Sequence, residues 1–264
     1  TAYYAAVGTT VSVDAELDYS NKQTIYNSKL NLYENAKTQK ESARITYYNS
    51  LQAVGEALDR DSQTNTEQRD KINLYMQNSK DVNACKPDGL ETLTQYAALS
   101  EAYQNYYTIA NTAEATDADK ETARSAYYSA LQTVWDSLNQ TYQTNTAARS
   151  RINECMQSID DVNACKTRGL ENIAQYATLE ANYQSYANTT ALEAEQKAEM
   201  DAAKTAYDAA ADTYKNYTAD KTNLSADQST LSTAYQEKNT AYNTLLSQQQ
   251  SLESQIVSLQ AQLT

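Results

Sequence analysis

Apolar side chains recur at alternating spacings of three and four residues along most of the chain. One row of ten positions is Tyr128, Leu131, Trp135, Leu138, Tyr142, Asn145, Arg149, Ile152, Met156 and Ile159. A second row is Tyr48, Leu51, Gly55, Leu58, Ser62, Asn65, Arg69, Ile72, Met76 and Ser79. Because this spacing returns to one side of an α-helix, each row predicts a helix of about 40 residues with coiled-coil packing.

Both rows contain asparagine and arginine near the middle, at Asn65 and Arg69 and at Asn145 and Arg149. One interpretation is a polar layer between two apolar stretches, which lowers stability but fixes the register of the helices. The other is that this part of each helix is exposed to solvent. The sequence leaves both open.

The two rows belong to an internal repeat. Residues 45–124 align without a gap on residues 125–204, with about 33 identical positions. The best-preserved block runs from Asp81 to Glu91 and from Asp161 to Glu171, and it aligns Gly89 with Gly169. Glycine adopts the left-handed conformation that ends a helix, and proline stops its continuation. Gly89, Gly169 and Pro87 therefore predict reversals between helices.

A second row follows each reversal and is rich in tyrosine. The chain has 23 Tyr and no Phe. A phenol ring buries apolar area while its oxygen still needs a hydrogen-bond partner, which suits contacts between subunits. The tyrosines predicted to face partner subunits are Tyr96, Tyr103, Tyr106, Tyr176, Tyr183 and Tyr186.

The tyrosine rows weaken near residues 111–117 and 188–193. Thr116 with Asp119, and Thr190 with Glu193, resemble the capping boxes that start a helix. We predict a second turn at each place. A straight helix with a shifted register is the alternative.

The remaining segments complete a five-part organisation. Residues 15–44 resemble the end of a repeat, and residues 205–264 form a diverged third repeat that ends in a long coiled-coil helix. Its two apolar rows are Tyr242, Gln249, Ile256 and Leu263, and Leu245, Leu252 and Leu259. Residues 1–14 are rich in β-forming side chains and predict an extended arm, either a flexible tail or a segment that docks on a neighbouring subunit.

The predicted fold is all-α: an elongated antiparallel helical bundle or coiled coil built from repeats of about 80 residues, with an extended N-terminal arm. The composition agrees, because only four Gly and one Pro interrupt the chain. A net charge of -13 excludes nucleic acid as a partner, since phosphate binding needs clustered Lys and Arg. The same acidity allows divalent cations to screen self-association. No apolar run is long enough for a membrane span.

Candidate chemistry is sparse. The chain has no His, which removes the commonest general base and zinc ligand, and its four glycines are isolated. We predict no enzyme activity, no cofactor and no metal site. Cys155 and Cys165 flank a predicted reversal and are candidates for a disulfide that would leave Cys85 free or cross-linked between chains. A Cys85–Cys165 disulfide and three reduced thiols are the alternatives.

These features favour a structural, self-assembling protein, a subunit of an extracellular fibre, a surface layer or a stored secretory lattice. Its expected partner is itself, or related helical subunits. The composition is loosely similar to that of bacterial flagellin-like filament proteins, and acidic helical rods resemble extrusome matrix proteins of protists, but no motif carries either resemblance. The numbering starts at Thr1, as after removal of a secretory signal. The alternatives are a secreted helical-rod adhesin or receptor-binding protein, and a pore-forming toxin or secretion-tip protein.

Overall fold

The computed structural model describes the backbone of residues 2–263 and the side chains of residues 14–260. Within that range the chain forms four α-helices and no strand: α1 (Ala2–Gln77), α2 (Tyr96–Ala110), α3 (Asp117–Gln157) and α4 (Tyr176–Leu263). The prediction of an all-α fold is confirmed. The helices divide between two compact units, one of residues 34–194 and one of residues 1–33 with 195–264.

The unit of residues 34–194 contains two buried cores. Core A consists of Tyr47, Leu51, Val54, Leu58, Ala148, Ile152, Cys155, Ile159, Cys165, Leu170, Ile173, Leu179, Tyr183 and Tyr186. Core B consists of Ile72, Val82, Cys85, Leu90, Leu99, Tyr103, Tyr106, Ala123, Tyr127, Leu131 and Val134. Core A joins the end of α3, the loop and the start of α4 that follow it, and the middle of α1 from Tyr47 to Leu58. Core B joins the end of α1, the loop and α2 that follow it, and the first part of α3.

Helices α1 and α3 lie antiparallel between the two cores. Asp59 on α1 binds Arg149 on α3, with 3.0 Å between Oδ1 and Nε. Further along α1, the side chain of Asn65 donates a hydrogen bond of 2.9 Å to the carbonyl oxygen of Leu138. The spacing of three and four residues does mark the packed face, although Tyr128 at the start of one row is exposed. Buried members of the two rows on either side of this crossing are Leu51, Leu58, Ile72, Leu131, Ile152 and Ile159.

The structure has one of the two second turns predicted from the sequence. At Thr116 a capping box starts α3: the Thr116 hydroxyl accepts from the Asp119 N–H, and the Asp119 carboxylate accepts from the Thr116 N–H. At Thr190 the predicted turn is wrong, because α4 continues through it. There the Thr190 hydroxyl donates back to the Tyr186 carbonyl at 2.8 Å, and Glu193 forms an ion pair with Lys40 at 2.8 Å.

The N-terminal segment differs from the extended arm predicted for residues 1–14. The backbone of residues 2–14 is helical and belongs to α1. Adding residues to an existing helix avoids the unfavourable nucleation step, which outweighs the weak preference of β-forming residues. Whether this segment docks on a neighbouring subunit depends on side chains that lie outside the described residues.

In the other unit, tyrosines at a spacing of seven residues pack α1 against α4. Tyr19 stacks on Tyr214 with 5.4 Å between ring centroids, and Tyr26 stacks on Tyr207 at 5.6 Å. Lys29 then pairs with Glu199 at 2.7 Å. Residues of increasing number on α1 contact residues of decreasing number on α4, so the two segments are antiparallel.

Candidate functional site

Each loop of the preserved block is closed by its glycine and by a glutamate two residues later. Gly89 and Gly169 have φ of 75° and 89°, in the left-handed region where a side chain is strained. The Gly89 N–H donates to the Glu91 carboxylate at 2.9 Å, and the Gly169 N–H donates to the Glu171 carboxylate at 2.9 Å. These N–H donors hold the pKa of both glutamates below its usual value.

Other preserved residues of the block also act within the loop. Asp81 accepts a hydrogen bond from the Asn83 N–H at 3.0 Å, and Asp161 accepts the equivalent bond from Asn163 at 2.9 Å. The cysteine and the leucine of both copies, and Pro87, are fully buried. The folding of the loops therefore accounts for the preserved Asp, Cys, Gly, Leu and Glu without a ligand.

The tyrosines predicted to face partner subunits lie elsewhere. Tyr103, Tyr106, Tyr183 and Tyr186 are buried inside cores A and B, so for these four the prediction is wrong. The Tyr106 hydroxyl donates to the Ser79 carbonyl, and the Tyr186 hydroxyl to the Ile159 carbonyl, each at 2.9 Å. Unpaired carbonyls just beyond α1 and α3 thus satisfy the phenol oxygens within the chain. Tyr96 and Tyr176 pack half-buried against the same cores.

Each core contains one buried tyrosine that the predicted rows did not include, Tyr47 in core A and Tyr127 in core B. The Tyr47 hydroxyl donates to the carbonyl of Cys165 at 2.6 Å, and the Tyr127 hydroxyl donates to the carbonyl of Cys85 at 2.6 Å. Both hydroxyls are buried, and each comes from the opposite copy of the aligned sequence. The rows began one residue later, at Tyr48 and Tyr128, and the identity of Tyr47 with Tyr127 was the available signal.

The three cysteines are free thiols, all fully buried. The disulfide candidates Cys155 and Cys165 lie together in core A, but the Cys165 thiol points at the carbonyls of Cys155 and Ser158, 2.8 and 2.9 Å away. Cys85 lies in core B, so a Cys85–Cys165 bond is wrong too. Burial raises the pKa of Cys85 to about 11 and that of Cys165 to about 12. The fold therefore stabilises the protonated thiols, and stability is lost as the pH rises towards those values.

Buried, protonated thiols predict slow chemical modification. With an aromatic disulfide reagent at about pH 8, all three cysteines should react on the order of 100-fold more slowly in the folded chain than in urea. Mass spectrometry counts the modified residues over time. Fast modification of the folded chain, at any of the three positions, would contradict the buried placement.

A polar layer separates the two cores. Asn65 is 5% exposed, and the guanidinium of Arg69 lies 4.1 Å from the centroid of the Tyr142 ring. Gly55 leaves room for Arg149, since a Cβ there would lie 2.8 Å from its Nη1. The polar-layer interpretation therefore describes this region better than a solvent-exposed stretch.

A groove with a volume of about 570 Å³ lies beside this layer. Amide and hydroxyl side chains line most of it, including Asn145, Thr92 and Asn172. Among the described side chains, the buried Oδ1 of Asn65 has no hydrogen-bond donor.

A long row of exposed apolar side chains follows the last part of α4. We define the α4 seam as the positions at heptad spacing from Leu224 to Leu259. Its apolar members are 54–72% exposed: Leu224, Leu231, Tyr235, Tyr242, Leu245, Leu252, Ile256 and Leu259. Unlike the rows in cores A and B, this seam packs on no other part of the described chain.

No protein-family model, no curated protein and no solved structure matches this chain. Among the described residues, no helix has the length and apolar character required to cross a membrane. No group of three or more Cys, Asp or Glu side chains in the same described part is placed to hold a metal ion.

Proposed function

We propose that this chain is a structural, self-assembling protein. The α4 seam carries the proposal, because eight large apolar side chains stand at least half exposed along one side of one helix. Soluble monomers seldom expose a contiguous apolar patch larger than a few hundred Å². Heptad spacing further suits such a row to the packing of a second helix.

An extended assembly needs a second contact in addition to the seam. A contact between identical surfaces closes after two copies, whereas fibres and sheets need a further interface. Exposed apolar side chains on α1 of the same unit could supply it: Leu17, Ile25 and Leu32. With two such surfaces, the proposed role is a subunit of an extracellular fibre, a surface layer or a stored secretory lattice.

The proposed architecture is an elongated antiparallel bundle built from two 80-residue helical repeats. Equivalent contacts support it, since Tyr47 binds the loop containing Cys165 and Tyr127 binds the loop containing Cys85. In this arrangement each repeat completes the core of the other. Such mutual packing suits a rigid building block, because neither repeat has a full core alone.

Electron microscopy together with light scattering tests the proposal. At physiological salt, the intact chain should form regular fibres or sheets. The average particle mass measured by light scattering should rise with protein concentration. Divalent cations should promote this growth by screening the net charge of -13. Particles that stay separate at every concentration, with and without calcium, would contradict the assembly role.

A further inference from the structure

We infer that the α4 seam pairs with the same seam of a second copy in antiparallel orientation, forming a two-stranded coiled coil. This inference rests on the proposed self-assembly and names its partner and geometry. Positions of the first heptad row are Gln228, Tyr235, Tyr242, Gln249 and Ile256. Positions of the other row are Leu224, Leu231, Lys238, Leu245, Leu252 and Leu259.

The exposed area is large enough for a specific dimer. Eight apolar side chains from each copy, each contributing on the order of 80–100 Å², would bury about 1,300–1,600 Å² in total. That total falls in the range of stable, specific protein interfaces. The seam is also continuous, because the polar positions Gln228, Lys238 and Gln249 are single interruptions between apolar ones.

Lys238 decides the orientation of the pair. In a parallel pair in register, each seam position meets its own copy, so Lys238 would lie against Lys238 of the second copy. Two ammonium groups side by side in a helix interface repel each other, and like charges of this kind disfavour an arrangement. The parallel pair also sets Tyr235 and Tyr242 against themselves, two large rings in one layer.

The antiparallel pair removes these conflicts. With Tyr242 opposite Leu245 of the second copy, Lys238 lies opposite Gln249, which can accept a hydrogen bond from the ammonium group. The neighbouring layers in the same register join large apolar side chains: Tyr235 with Leu252, and Leu231 with Ile256. Lys238 therefore meets a polar partner in this register, and the apolar layers beside it stay intact. The remaining polar position, Gln228, lies opposite Leu259 near the end of the pair.

Charges beside the seam are compatible with the antiparallel register. The flanking positions hold only two charged side chains, Asp227 and Glu253. In this register Glu253 lies near Ser232 of the second copy, and Asp227 lies beside the C-terminal end of the second copy's helix, so the two carboxylates do not meet. No like-charge contact opposes the pairing of two copies of this acidic chain.

Cysteine cross-linking tests the orientation in the intact chain. Two variants, Leu231→Cys and Ile256→Cys, are mixed and oxidised with glutathione disulfide, and each is also oxidised alone. Mass spectrometry should identify a disulfide between positions 231 and 256 in the mixture, at least ten-fold more abundant than any cross-link of either variant with itself. The unmodified chain is the control for the three buried native thiols, and circular dichroism checks that both variants are helical.

The outcomes distinguish a failure of the antiparallel pairing from a failure of self-assembly. Cross-links of Leu231→Cys with itself, and of Ile256→Cys with itself, would show a parallel pair and overturn the antiparallel geometry, while self-assembly would stand. A chain that sediments as one copy and forms no cross-link in any sample would overturn both.

Discussion

Replacing both Leu245 and Leu252 by aspartate is expected to abolish self-association of the intact chain. In a pair of copies the substitutions place four carboxylates in the centre of the interface, where each charge loses its hydration. We expect the dissociation constant to rise at least about a thousand-fold, which corresponds to roughly 4 kcal/mol. Sedimentation velocity over a range of concentrations measures the change, and circular dichroism should report helical content close to that of the unsubstituted chain.

A matched control carries the same charge on the opposite side of the helix. Ser247 and Ser254 are exposed, and each hydroxyl donates back to a carbonyl of its own helix at 2.9 Å. Ser247→Asp with Ser254→Asp adds the same two carboxylates away from the seam. This control should assemble as the unsubstituted chain does; equal loss of assembly in both double variants would attribute the effect to net charge.

Truncation of Tyr127 should be among the most destabilising single changes in the unit of residues 34–194. Tyr127→Ala removes a fully buried ring from core B and leaves the Cys85 carbonyl without its donor. Losses of about 3–5 kcal/mol follow when a large aromatic side chain is removed from a core. Urea unfolding followed by the fluorescence of Trp135 measures the loss, because this single tryptophan packs against core B.

Smaller substitutions separate the ring from the hydroxyl. Tyr127→Phe keeps the ring and should cost about 1–3 kcal/mol, the penalty for a buried carbonyl without a partner. Tyr128→Phe, at a side chain that is 39% exposed, is the control and should change stability by less than about 0.5 kcal/mol. Equal effects at both positions would contradict the buried hydrogen bond.

Much of the helical architecture could be predicted from local patterns. The spacing of three and four residues located the buried faces of α1 and α3, and the capping box at Thr116 marked the start of α3. Gly89 and Gly169 located the reversal loops, because few residues other than glycine tolerate a positive φ. The same kind of pattern failed at Thr190, where contacts with Lys40 and Tyr186 accompany a continuous helix.

The contacts between the two aligned segments, residues 45–124 and residues 125–204, could not be predicted. Tyr47 would meet Cys85 if each repeat folded on itself, and it meets Cys165 in the structure. Both arrangements bury the same residue types, so a single sequence does not distinguish them. The long polar crossing of α1 and α3, around Asn65 and Arg149, is what separates the two cores and permits the exchange.

The tyrosines show the limit of composition as a guide to surfaces. Their hydroxyls suggested contacts with partner subunits, but Tyr106 and Tyr186 satisfy them with backbone carbonyls at helix ends. The exposed rows are instead leucines and tyrosines of α4, such as Leu245 and Tyr242. Hydrophobic periodicity indicates that one face of a helix packs against another helix. Only the fold indicates which of these faces are already buried within the same chain.

Sedimentation equilibrium measures the self-association of the intact chain. The chain has a mass of 29.4 kDa, and we expect the smallest stable species to have twice that mass, with larger assemblies at higher concentration. The variant with Leu245→Asp and Leu252→Asp should sediment as a single copy under the same conditions. An unsubstituted chain that remains at 29.4 kDa at the highest concentration reached would contradict self-assembly through the α4 seam.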